Sequence, residues 1–157
     1  MKGIAMGADR RRDEDFAVLL AGSFWRLVGR RLVEGITPSA PWLYRNAPFC
    51  LLAHDGAADP CFIYANLAAQ RCFGYAWEEF LRLPSRLSAE APEQGERERL
   101  LAAVKAEGFI KNYRGIRIAK SGRRFLIEDA VVWELIDETG ARHGQAAMFS
   151  PGPDVPG

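Results

Sequence analysis

The sequence predicts an α+β protein built on an antiparallel sheet. Two observations carry this prediction: apolar, strand-like segments lie both before and after a run of helices, and strands and helices do not alternate regularly. The 157 residues suffice for one domain, and 48% hydrophobic with 26% charged residues is typical of a globular protein. The formal net charge is +1, so the composition gives no electrostatic reason to bind nucleic acid or a membrane surface, and neither partner is expected.

The N-terminal part is predicted to form one long helix. Residues 1–12 are expected to be disordered, and the helix is expected over residues 13–35, beginning at a run of acids. Its first apolar stripe consists of Phe16, Leu20, Phe24 and Leu27. A second stripe, on the opposite side, consists of Val18, Trp25, Val28 and Leu32. A helix that is apolar on two sides must be covered on both. We therefore expect a homodimer through residues 16–33, with the first stripe as the candidate interface; packing between the sheet and the connector over 36–48 is the alternative.

The middle of the chain is predicted to form a β-hairpin followed by three short helices. In chain order we expect strands over 49–54 and 61–65, and helices over 67–73, 77–83 and 92–107. Asn66 stands where the first of these helices needs an N-cap, and Gly74 stands where it must end. A turn over residues 55–60, which ends in Pro60, separates the two strands, and Pro84 ends the helix over 77–83.

The last part is predicted to form three antiparallel strands, over residues 111–119, 123–136 and 144–149, followed by a disordered tail over 150–157. In the second strand, one face carries Phe125, Ile127, Val131, Trp133 and Leu135. Asp129 is the one polar residue in that alternation. An unpaired buried carboxylate is costly, so we expect Asp129 to pair with Arg117 across the hairpin, or with a ligand.

Several short motifs resemble the MEKHLA domain, a PAS-like module. The motifs are His54-Asp55, Tyr64-Ala-Asn66, Phe73-Gly74-Tyr75, Leu83-Pro-Ser-Arg-Leu-Ser-Ala-Glu90, Glu96-Arg97, Gly108, Tyr113-x-Gly115-x-Arg117, Gly122-Arg-Arg-Phe125, Val132-Trp133 and Gly144-Gln-Ala-Ala147. The resemblance covers residues 13–149, with a PAS-like core over 49–149. It implies a five-stranded antiparallel sheet with short helices on one face and an N-terminal flanking helix. The family occurs alone in bacteria and algae and at the C-terminus of plant class III homeodomain–leucine zipper factors. It implies a sensory or dimer-regulating role and no particular ligand.

No metal, flavin or haem is expected. The histidines and the three cysteines (Cys50, Cys61 and Cys72) are spread over separate elements. Flavin-binding PAS proteins resemble one another in an asparagine-cysteine-arginine-phenylalanine motif, on a helix that here reads Trp77-Glu-Glu-Phe-Leu-Arg-Leu-Pro84. Haem-binding ones resemble one another in a histidine on the helix over 92–107, which has none. An odd number of cysteines without a CxxC pair, and no signal peptide, favour a cytoplasmic protein with free thiols.

The function predicted from these observations is a sensory or protein-interaction module without catalytic activity, passing its signal to a separate output protein. The candidate ligand-binding residues are His54, Tyr64, Asn66, Phe73, Arg117, Asp129 and Trp133. Each has a structural alternative, such as helix capping by Asn66, a backbone hydrogen bond from His54 or simple core packing. A small enzyme with His54 as base and Asp129 as orienting group is the alternative function. A packed scaffold is a third, favoured if no cavity admits a drug-sized ligand.

Overall fold

A computed structural model describes residues 9–156 and confirms the antiparallel α+β prediction. The helices are α1 (Glu14–Val28), α2 (Ala40–Arg45), α3 (Leu67–Phe73), α4 (Trp77–Phe80) and α5 (Ala91–Glu107), with a 3-10 turn over Ser85–Ser88. The strands are β1 (Cys50–His54), β2 (Phe62–Ala65), β3 (Phe109–Ile118), β4 (Arg124–Ile136) and β5 (Arg142–Asp154). They form one sheet in the order β2-β1-β5-β4-β3, and every neighbouring pair is antiparallel.

The sheet is covered on both faces by hydrophobic side chains. On one face α1 packs against β4, and its core includes Phe24, Tyr64 and Trp133. The other face is covered by α3 and α5, and its core includes Phe73 and Phe125. The predicted arrangement of short helices on one face and a flanking helix is therefore confirmed.

The predicted dimer stripe of α1 instead packs on the sheet of its own chain. Phe16 and Leu20 are each 1% exposed and Phe24 is fully buried, with Leu27 packed against the same cluster. The ring of Phe24 lies edge-on to that of Trp133, with their centroids 4.9 Å apart. The prediction that this stripe forms a dimer interface is wrong, because the sheet already covers it. Of the other stripe, Val18 and Trp25 are open, 60% and 55% exposed, whereas Leu32 is buried and Val28 packs against the same cluster.

The N-terminal helix is shorter than predicted. Its start agrees with the sequence, since Asp13 caps it by accepting a hydrogen bond from the Asp15 backbone N–H at 2.9 Å. It ends at Gly29, six residues before the expected Gly35, because Gly29 adopts the left-handed conformation with φ 82° and its N–H bonds to the Trp25 carbonyl. The connector contains the unpredicted helix α2, capped by Ser39.

Both predicted disordered ends contain ordered structure. Residues 9–12 form a turn in which Arg11 pairs with Asp9 at 2.8 Å and its guanidinium lies 4.8 Å from the Trp77 ring centroid. Residues 1–8 lie outside the described part. At the other end, β5 continues to Asp154, where Arg123 pairs with it at 2.6 Å, because the long strand β4 offers pairing along its whole length.

A β-bulge at Asp129 changes which residues of β4 share a face. Glu128 pairs with Ser150 and Val131 with Met148, so β4 carries one extra residue between these pairs. Asp129 takes a positive φ of 52°, which aspartate tolerates, and its side chain is exposed. The prediction that one face runs unbroken along this strand is therefore wrong.

Within residues 9–156, none of the helices combines the length and apolar content needed to cross a membrane.

Candidate functional site

A cavity of about 70 Å³ lies between the sheet and α5. Its apolar lining includes Leu52, Phe62, Phe73, Leu100, Leu101, Ile127, Val132 and Phe149. Its polar lining consists of His54, Ser88, Arg97, Tyr113, Arg117 and Gln145. Many ligand sites have an apolar wall with a few convergent polar groups, although drug-sized ligands need roughly 300–1,000 Å³. The cavity can therefore admit only a small molecule.

A chain of hydrogen bonds borders the cavity. Gln145 Nε2 donates to the Leu101 carbonyl at 3.1 Å, which leaves its Oε1 to accept from His54 Nε2 at 2.9 Å. His54 Nδ1 therefore accepts from the Ser85 hydroxyl at 2.9 Å, and Ser85 Oγ accepts from Arg97 Nη2 at 2.5 Å. Each hydrogen in the chain has one acceptor, so the histidine is held neutral with its proton on Nε2.

Two arginine side chains line the cavity and are almost completely buried. Arg97 and Arg117 are each 6% exposed. Besides the bond from Arg97 to Ser85, Arg117 Nη1 donates to the Ile116 carbonyl at 2.9 Å and its Nη2 to the Tyr113 hydroxyl at 3.2 Å. Within residues 9–156, no ion pair closer than 4.0 Å includes either guanidinium. Burial, followed by repulsion from Arg117, lowers the pKa of Arg97 to about 10, so Arg97 remains charged near neutral pH.

The carboxylate of Glu96 is connected to Arg117 through the hydroxyl of Tyr113. The hydroxyl of Tyr113 donates to Glu96 at 2.6 Å and accepts from Arg117 at 3.2 Å. Tyr113 therefore links the buried cation to a half-buried anion. Among the described residues Arg97 has no equivalent link, since its one side-chain hydrogen bond there goes to the neutral Ser85.

The family of the chain follows from its sequence. The sequence model described as the MEKHLA domain matches residues 14–151. The chain belongs to the MEKHLA domain family. No curated protein matches this MEKHLA domain in sequence.

Solved structures similar to this MEKHLA domain are PAS and LOV domains. A PAS domain from Colwellia psychrerythraea is 15% identical, with a TM-score of 0.61 over 71% of this chain and 90% of that one. A fungal LOV domain photoreceptor is 18% identical, with a TM-score of 0.57 over 94% of both chains. The LOV domain of a blue-light activated histidine kinase from Erythrobacter litoralis is 22% identical, with a TM-score of 0.57 over 69% of this chain and 100% of that one. These similarities establish the PAS-like fold.

Three of the seven predicted ligand-binding residues line the cavity of the MEKHLA domain: His54, Phe73 and Arg117. Tyr64 and Trp133 belong to the core on the opposite face of the sheet. The Trp133 indole N–H donates to Ser23 of α1 at 3.0 Å. These two aromatics are therefore core residues and not cavity lining.

Asp129 contacts neither of its predicted partners. Arg117 is paired with Phe125 in the register of β3 and β4, and its side chain bonds to Tyr113, while Asp129 is exposed in the bulge. Both ring nitrogens of His54 are used by other residues. The predicted Asp129–Arg117 pair and the His54–Asp129 acid–base pair are both wrong, because the bulge turns Asp129 away from the apolar face.

Asn66 is a fully buried structural residue of the MEKHLA domain. Its Oδ1 accepts from the backbone N–H groups of Ala69 and Leu51, both at 3.0 Å. Its Nδ2 donates to the carbonyls of Leu43 at 3.1 Å and Phe49 at 2.9 Å. The capping role is confirmed, and the four bonds leave the amide nothing to offer a ligand.

Five polar residues of the site were not among the candidates: Ser85, Ser88, Arg97, Tyr113 and Gln145. Each lies inside a motif that carried the family resemblance. What the sequence does not reveal is that helix α5 brings Arg97 to the same cavity as Arg117, because that contact depends on how α5 crosses the sheet. Within residues 9–156 there is no cluster of three or more metal-ligating side chains, and the thiols of Cys50, Cys61 and Cys72 are free.

The buried histidine predicts an acid-sensitive stability. Burial is the main reason that the pKa of His54 falls from 6.5 to about 4, with a smaller contribution from Arg97. The unfolded chain then takes up a proton near pH 6.5 and the folded chain only near pH 4, so stability is complete above pH 6.5 and decreases as the pH falls toward 4. Urea unfolding should show about 2 kcal/mol less stability at pH 5 than at pH 7.5 from this residue.

His54→Gln provides the control for this prediction, because glutamine does not titrate. The pH dependence of the variant should be smaller than that of the wild type by the same amount. Equal pH dependence of the two proteins would contradict the assignment.

Proposed function

We propose that this MEKHLA domain is a sensory module that binds a small ligand non-covalently in the cavity and couples it to α1 through the sheet. The observation that carries the proposal is the position of two adjacent residues of β4. Val132 lines the cavity on one face, whereas Trp133 contacts Phe24 and Ser23 of α1 on the other. A shift of β4 caused by a ligand would therefore act directly on the flanking helix. The proposal includes no catalytic activity.

We propose that the ligand is neither a flavin nor a haem. One structural neighbour is a light-oxygen-voltage domain described with a flavin analogue. Here, α4 contains no cysteine, α5 contains no histidine, and aromatic rings of Phe73, Phe80, Phe125 and Phe149 pack edge-on in the space beside the cavity. The remaining volume of about 70 Å³ is far below the lower end of the range for a drug-sized ligand.

The small volume also favours a second candidate function, a protein-interaction scaffold whose interior holds no ligand. The two candidates differ in what the cavity is for: a ligand-binding module would use the buried arginines beside the apolar wall, whereas a scaffold would have no use for them. Binding of a small molecule by the wild type, tested below, separates them.

The output of the module is proposed to be self-association through the exposed apolar patch formed by Val18 and Trp25 of α1 and by Ile36. Trp25, Val18 and Ile36 are 55%, 60% and 42% exposed and line one groove of about 350 Å³. Exposed apolar groups concentrated in one place are typical of an interaction surface. A two-fold axis through this groove would set the same patch of a second copy against it, so one surface suffices for both partners. The free thiols support a reducing compartment such as the cytoplasm.

Sedimentation velocity tests the dimer. The wild type should show a dimer at high micromolar concentration, and Trp25→Glu should sediment as a monomer, because a charge at the centre of an apolar interface is not solvated there. Leu87→Glu is the matched control: Leu87 is 42% exposed but does not line the groove, so this variant should still dimerise. A wild type that is monomeric at every concentration would refute self-association.

A further inference from the structure

We propose that the cavity is a binding site for a short-chain monocarboxylate, held between Arg97 and Arg117. The inference rests on the proposed function in one respect, namely that the cavity takes a ligand, and it adds the chemical class of that ligand.

The first argument is that neither arginine has an ion-pair partner in the part of the chain that the structure describes. A guanidinium group carries five N–H donors in a planar fork that matches a carboxylate. Arg97 uses one of its five donors, in a hydrogen bond to a neutral hydroxyl. Arg117 uses two, in hydrogen bonds to a carbonyl and to a phenol oxygen. Burying a cation without an ion pair is unfavourable, and placing a second one near it adds repulsion. An anion between the two groups would remove both costs.

The second argument is the charge balance, which favours a single negative charge. Near the cavity, two arginines and Glu96 leave one positive charge, since His54 is neutral at pH 7. Asp59 and Glu98 also act on Arg97, but both are solvent-exposed and form no ion pair with it. A monoanion would complete the balance, whereas a dianion such as inorganic phosphate would leave an excess negative charge in an apolar site.

The third argument is size and polarity. One buried water needs roughly 10–15 Å³, so a cavity of about 70 Å³ offers about five such positions. The walls away from the arginines are apolar side chains such as Leu52, Phe73 and Val132. A carboxylate with a hydrocarbon chain of two or three carbons has both the size and the distribution of polarity that this space requires.

The fourth argument is access. An open groove of about 470 Å³ adjoins the cavity and shares with it His54, Arg97, Leu101 and Gln145. The hydrogen-bond chain from Arg97 through His54 to Gln145 therefore lies between the groove and the cavity. Rotation of these few side chains would admit a small molecule without moving the sheet.

Isothermal titration calorimetry with butyrate and with butyramide, its neutral isostere, tests the proposal. The wild type should bind butyrate, and Arg97→Gln and Arg117→Gln should each weaken that binding at least about tenfold, because each removes a charged hydrogen-bond donor. Arg99→Gln is the matched control, since Arg99 is exposed on the same helix and does not line the cavity. This variant should bind butyrate as the wild type does.

The other outcomes overturn the proposal in distinguishable ways. Butyramide binding as tightly as butyrate would mean that the cavity holds a ligand but not an anion, so the proposed sensory function would stand without this inference. Binding of inorganic phosphate in preference to butyrate would refute the monocarboxylate. No binding of any probe would refute both the inference and the ligand-binding part of the proposed function, leaving the scaffold. Circular dichroism establishes that each variant is folded, and a folded Arg97→Gln that retains full affinity for butyrate also counts against the proposal.

Discussion

Asn66→Ala is expected to lower the free energy of unfolding by about 3–5 kcal/mol, because four buried hydrogen bonds disappear together at about 1 kcal/mol each. The amide joins the first turn of α3, strand β1, the residue Phe49 that precedes it, and helix α2. Alanine leaves two backbone N–H groups and two carbonyls without this partner in a site that is closed to water, since Asn66 is fully buried. Urea unfolding followed by circular dichroism measures the loss.

Ser39→Ala is the matched control for that variant. Ser39 caps α2 with one hydrogen bond to the Trp42 N–H at 3.2 Å, and its side chain is exposed. Its loss should cost only about 1 kcal/mol, the usual value for an N-cap. If the two alanine variants lose the same stability, Asn66 acts as a simple cap and its other three bonds contribute nothing measurable.

Gly144→Ala is expected to have an effect at least as large, about 4 kcal/mol or more, or to prevent folding. A Cβ at this position would lie 2.0 Å from the His54 carbonyl oxygen and 3.0 Å from its carbon, and both are backbone atoms of the neighbouring strand. The backbone there also has φ +130°, which a side chain rarely adopts. Because backbone cannot rotate away as a side chain can, β1 and β5 would have to separate at the point where His54 faces Gln145.

Gly140→Ala separates the effect of the backbone clash from the effect of the positive φ. Gly140 also has a positive φ, +88°, but a Cβ there would meet nothing within 4 Å. This variant should lose only about 1–2 kcal/mol, the cost of a left-handed backbone for an ordinary residue. Thermal or urea unfolding of both variants provides the comparison, and similar losses would show that the contact with His54 is relieved at little cost.

Most elements of the fold could be predicted from local signals. Asn66 and Gly74 mark the ends of α3, and Lys120-Ser121-Gly122 marks the turn between β3 and β4. These signals depend on residues within a few positions of each other, so the sequence contains them directly. The extension of β5 to Asp154 could not be predicted in this way, since it depends on pairing with a strand that is distant in the sequence.

The candidate site was predicted less well, and the bulge at Asp129 is the main reason. Strict alternation along β4 placed Trp133 beside Ile127, whereas the structure places them on opposite faces. A bulge adds one residue without changing the composition of the strand, so the apolar pattern alone does not reveal it. The same error made Asp129 look buried and therefore chemically important. Arg97, one of the site residues that the sequence did not reveal, lies on helix α5 among several other charged residues, and only the packing of the helix shows which of them faces the cavity.

The extra residue in β4 determines which face of the sheet each side chain beyond it points to, so the length of the strand and its hydrophobic pattern depend on one another. Deleting Asp129 would turn one half of the strand over relative to the other, so that either Ile127 would leave the α5-facing core or Trp133 would leave the α1-facing core. A relative lacking that residue would need the side chains in one half of the strand to alternate in the opposite order. The number of residues between Ile127 and Val131 is therefore constrained as strongly as their identities.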